Sequence, residues 1–138
     1  MIRSIVAVVA GVVVALALLA GIDALGHRVY PLPQGVDWSD PKVVERVVSA
    51  LPIGAFLFAV TSWIVAAFAG AWLAARLALS RRSLHGGLVG ALVLAATIGN
   101  LLMIPHPAWV IAGGLIGVPL CAWLGARVGG SAVAQPPR

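Results

Sequence analysis

Apolar residues in this chain come in four long blocks: Ile5 to Leu25, Leu51 to Ala75, Gly86 to Ile104 and Ala108 to Ala126. Each is close to the roughly 20 residues that carry a helix across hydrocarbon. The other backbone that satisfies its own hydrogen bonds in lipid is a closed barrel, which needs alternating strands of about ten residues. No such alternation is present. The pattern predicts an all-α, polytopic membrane protein, a bundle of four transmembrane helices.

One stretch keeps a different pattern. In "SDPKVVERVVSAL", Val43, Val44, Val47, Val48 and Leu51 share one helical face, while Lys42, Glu45, Arg46 and Ser49 share the other. Asp40 is placed to cap the N-terminus and Pro41 to occupy the first helical position. A short external amphipathic helix is expected there, lying on the membrane surface or roofing the bundle, with Trp38 near its start. It belongs to an external loop, 26–50, whose "YPLPQGVDW" is punctuated by proline and glycine. Pro52 separates it from the second span. The tail 130–138 has no pattern and is expected to fray.

The chain also repeats itself. Residues 71–76 read AWLAAR and residues 122–127 read AWLGAR. The first and third spans both stop at a Pro-x-Pro, Pro31 to Pro33 and Pro105 to Pro107, where proline removes a donor and biases the residue before it away from helix. Two parallel hairpin repeats are expected, 4–79 and 84–129, the first carrying the external loop as an insert. The repeat sets Trp72 and Trp123 one turn above Arg76 and Arg127, as membrane-interface anchors.

Composition agrees: 62% of residues are apolar and 9% charged, against about 45–50% and about 25% in soluble domains. The basic residues fix the orientation. With the N-terminus in the cytoplasm, Arg3, Arg76, Arg81, Arg82, Arg127 and Arg138 lie inside, while Arg28, Lys42 and Arg46 lie outside among Asp37, Asp40 and Glu45. The expected location is the cell inner membrane, multi-pass, with both termini cytoplasmic. A cleaved signal peptide is the alternative for the first span, but its apolar run exceeds the usual ~7–15 residues, so an uncleaved anchor is preferred. The net charge of +5 serves topology and attraction to anionic headgroups rather than nucleic acid. The bilayer is the first partner, followed by another copy or another membrane protein.

Small residues recur every fourth position in the last span: Gly113, Gly117, Cys121, Gly125 and Gly129. Such a stripe lets another helix backbone come close. Packing within the chain and a homodimer seam are both open. Cys121 is the lone cysteine, so no intramolecular disulfide forms.

Polar groups within spans are where function is sought first. Asp23 and His27, at i and i+4, share a face near the external end of the first helix; Asn100 lies near the external end of the third, and His106 sits in the turn that follows. A tight bundle brings these four together beneath the interfacial helix, beside Arg28 and Tyr30. Three readings stay open. The cluster is structural, or it is a metal or haem site using His27 and His106 with Asp23 as third ligand or orienting acceptor, or it is a translocation pathway in which Asp23 carries a proton or cation past Asn100 and Thr97. No cofactor is the leading expectation. No GxSxG elbow, phosphate-binding glycine loop or pair of carboxylates in a span is present, so enzymatic activity is not expected.

The stretches "GHRVYPLP" and "NLLMIPHPAW" make the chain resemble small, uncharacterised four-helix bacterial membrane proteins, over most of its length; that resemblance implies the fold and no activity. The small multidrug exporters share the size and helix count but are a poor likeness. Their essential acid is a glutamate well inside the first helix, whereas Asp23 is near its end, and no site residue is carried over. Together these features suggest a non-enzymatic accessory or scaffold protein that packs through glycine-rich helix faces, with a small dimeric transporter or channel and an external metal or haem binder as alternatives.

Overall fold

The computed structural model describes residues 2–131 and holds five helices: α1 (Ile2–Val29), α2 (Pro41–Ser49), α3 (Ile53–Leu77), α4 (Arg82–Met103) and α5 (Ala108–Ser131). No strand occurs among the described residues. α1, α3, α4 and α5 are long and apolar enough to cross a membrane, so the chain is a multi-pass membrane protein with α2 as a short extra helix. α5 continues through Ser131, whose hydroxyl donates to the Arg127 carbonyl (2.8 Å). The rest of the expected tail, 132–138, lies outside the described residues.

Local chemistry explains the helix ends. α1 and α4 both finish ahead of a Pro-x-Pro: the Tyr30 N–H closes onto the Gly26 carbonyl (2.8 Å) and the Ile104 N–H onto that of Asn100 (3.0 Å). Ile104 then turns extended, at φ −124° and ψ 128°, as the residue before a proline does. Asp40 caps α2 by accepting the Lys42 N–H (2.9 Å), with Pro41 as the first helical residue. At the arginine-rich end, Arg82 Nε donates to the Ala78 carbonyl (3.0 Å) and Nη1 to that of Gly130 (3.2 Å). One cation thereby meets the C-terminal ends of α3 and α5, where the helix dipole favours it.

α3 and α4 each pack against every other span, whereas α1 and α5 do not meet. A twofold axis relating the two hairpins would pair the α3–α4 contact with an α5–α1 contact, so the packing departs from that symmetry. Close backbone approach dominates. A Cβ on Gly11 would lie 2.6 Å from the Gly70 carbonyl oxygen, and one on Gly70 would lie 2.8 Å from that of Gly11. On α5, Gly125 and Gly129 press on the carbonyls of Phe68 and Trp72, and Gly113 and Gly117 receive Val60 and Ile64. The glycine stripe of α5 therefore lies on α3 of the same chain. Cys121, between them, is a half-buried free thiol. Ala66, Ala67, Ala71, Ala74 and Ala75 have no exposed surface.

Gly70→Ala and Gly125→Ala are expected to lower stability by about 1–3 kcal/mol, because the added methyl meets backbone that cannot yield. Gly99→Ala, where a Cβ meets nothing within 4 Å, should leave it unchanged. Unfolding of the purified protein in mixed detergent checks both, and equal losses at all three positions would contradict this packing.

Candidate functional site

At the end of the bundle away from the arginines, large side chains leave a space. Beneath α2, where α1 and α4 finish and α3 begins, lies a cavity of about 260 Å³. All four residues of the expected polar cluster line it: Asp23 and His27 from the last turns of α1, Asn100 from the last turn of α4, and His106 from the following turn. Asp23, Asn100 and His106 are half-buried and His27 is exposed. The Asp23 carboxyl faces the Ser62 hydroxyl and His27, and Ser62 itself donates to the Ala59 carbonyl (2.8 Å). Arg28, expected beside the cluster, is exposed and outside the lining.

Aromatic rings form the walls: Tyr30, Trp38, Phe56, Phe58 and Trp63. Glycine sets two of them. The Phe58 ring lies on Gly26 and the Tyr30 ring on Gly54, leaving no room for a side chain at either, and the two rings meet edge to face at 6.2 Å. Trp38 is carried by a turn in which Asp37 Oδ1 accepts the Ser39 N–H (3.0 Å) and hydroxyl (2.6 Å). These bonds, the hydroxyl's first, hold the Asp37 carboxyl below its ordinary value. α2 closes the top with Val47 and Val48, followed by Leu51.

His106 is oriented from two sides. Its Nδ1 lies 2.7 Å from the Ile104 carbonyl oxygen, which only accepts, so Nδ1 carries the proton and Nε2 of the neutral ring keeps a lone pair. The ring packs edge-on against Phe56 (6.2 Å) and Trp63 (5.9 Å). Trp63 is 4% exposed and borders Gly114 together with Thr97. Thr97, expected along a translocation route, lies outside the cavity and returns its hydroxyl to the Val93 carbonyl (2.9 Å). Below Trp63 the bundle closes on alanines with no exposed surface.

Phe56, Phe58 and Trp63 were not singled out from the sequence. A signal was there: Phe56 and Trp63, at i and i+7, share one face of α3. No three His, Cys, Asp or Glu converge as a metal site among the described residues. The expected anchors lie at the opposite end: Trp72 and Trp123 are 38% and 52% exposed, Arg76 is exposed, and the Arg127 guanidinium sits 4.8 Å above the Trp123 ring.

Imidazole nitrogen NMR of the neutral rings should place the proton on Nδ1 of His106, and on Nδ1 of His85, which lies 3.1 Å from the Arg81 carbonyl. A His106 ring protonated on Nε2 alone is incompatible with this turn. Comparison with protein-family models, curated proteins and solved structures returns no match, so the site is read from its own geometry.

Proposed function

We propose that this is a non-enzymatic inner-membrane protein that captures a small organic cation at its outer end. The supporting observation is the lining of the cavity, which has one carboxylate, Asp23, five aromatic rings and no lysine or arginine. An amine or quaternary ammonium is the ligand such walls favour, held by ring faces as well as by the carboxylate. The charge layout agrees, since Asp23, Asp37, Asp40 and Glu45, all the carboxylates of the chain, lie toward this end. No serine, cysteine or second carboxylate lines the cavity, whose other polar side chains include His27, Tyr30, Asn100 and His106.

In this reading the arginine-rich end faces the cytoplasm with both termini, and the external face receives the ligand. The two hairpins are copies of one ancestral hairpin, a view supported by the AWLAAR and AWLGAR endings and the paired Pro-x-Pro stops. Capture for an accessory or scaffold role is favoured over conduction because the inner half of the bundle is closed. A carrier using Asp23 would have to part that half.

Benzyltrimethylammonium, titrated against purified protein, should quench tryptophan fluorescence through Trp38 and Trp63. Asp23→Asn should weaken its binding roughly tenfold. Benzyl alcohol, of similar shape and no charge, should bind poorly. Equal binding of the alcohol, or full affinity in Asp23→Asn, rejects the cation reading. Uptake of the same cation into vesicles distinguishes a carrier from a receptor.

A further inference from the structure

A second hollow lies at the other end of the molecule, on the outside of the bundle. α4 and α5 pack closely there, Gly86 on Ala126 and Gly90 on Ala122, and the outer face of that contact is a groove of about 550 Å³, lined by Gly87, Gly90 and Ala91 of α4 and by Pro119 and Ala122 of α5, with Ser83 and Arg127 at its mouth. Gly87 is exposed, and a Cβ there would meet nothing within 4 Å. The glycine leaves a hollow and is not a packing contact. We propose that this groove holds one anionic phospholipid of the leaflet at the arginine-rich end, its phosphate at Arg127 and Ser83 and an acyl chain along the small residues.

Length supports the assignment. From Ser83 to Leu94, the lining residues of α4 rise about 16 Å along the helix, close to one leaflet, half of the roughly 30 Å hydrocarbon core. Charge supports it as well. Arg3, Arg76, Arg81, Arg82 and Arg127 gather at this end, and no carboxylate does among the described residues. Arg82 is engaged by the Ala78 and Gly130 carbonyls. Arg127 lies over Trp123, with its side chain exposed at the groove's mouth. A protein partner is disfavoured on the same grounds, since a second copy would bring the same arginines into apposition.

The test is lipid retention. Protein reconstituted in equal parts phosphatidylglycerol and phosphatidylcholine is extracted in mild detergent and its bound lipid counted by native mass spectrometry. One phosphatidylglycerol per chain is expected. Arg127→Gln should lower the preference for phosphatidylglycerol about fivefold while some lipid stays bound. Gly87→Leu, which fills the groove where there is room, should remove the retained lipid with helicity and melting temperature intact. Undiminished retention in Gly87→Leu, or an unchanged preference in Arg127→Gln, refutes the assignment. So does a wild-type dimer by light scattering that Gly87→Leu abolishes, because a second copy then fills the groove.

Discussion

Everything in this protein rests on how closely α3 lets other backbones approach. In lipid the solvent is as apolar as the side chains, so helices are held together by contact rather than by escape from water. α3 meets that demand with alanine and glycine through its C-terminal half, and α1 and α5 answer with glycines whose hydrogens lie against its carbonyls. Dispersion and Cα–H···O contacts fall off steeply with distance, so a methyl's width decides whether the interface exists.

The same helix explains why the two ends differ. Toward the cytoplasmic side of the proposed topology α3 carries Ala66, Ala67, Gly70, Ala71, Ala74 and Ala75; toward the other side it carries Phe56, Phe58 and Trp63. Small residues let the spans meet backbone to backbone in the one half, and large rings wall a cavity in the other. The polar groups of α1 and α4 line that cavity because those helices finish there.

Much of this was legible in the sequence. Span number and helix ends follow from apolar length, Pro-x-Pro stops and the Asp40 cap, which are local properties. The meeting of Asp23, His27, Asn100 and His106 followed from their common depth in the membrane. The side of a helix that faces a neighbour was not legible, since in lipid both faces are apolar and periodicity loses its contrast. The glycine stripe of α5 could equally have faced outward, and the aromatic wall of α3 looked like ordinary span composition until Gly26 and Gly54 brought Phe58 and Tyr30 onto neighbouring backbones.

α2 is fixed differently from the spans. No part of its backbone comes near another helix; it is attached through Val44 and Val48, which join the buried apolar cluster, and through the chain on either side. Its attachment is therefore by side chains alone, whereas the spans hold one another by close backbone approach. The roof of the cavity is thus a nine-residue helix that takes no part in the backbone contacts of the bundle. The cover of the cavity and the stability of the bundle are therefore separately adjustable, the one at Val44 and Val48 and the other at the glycines facing α3.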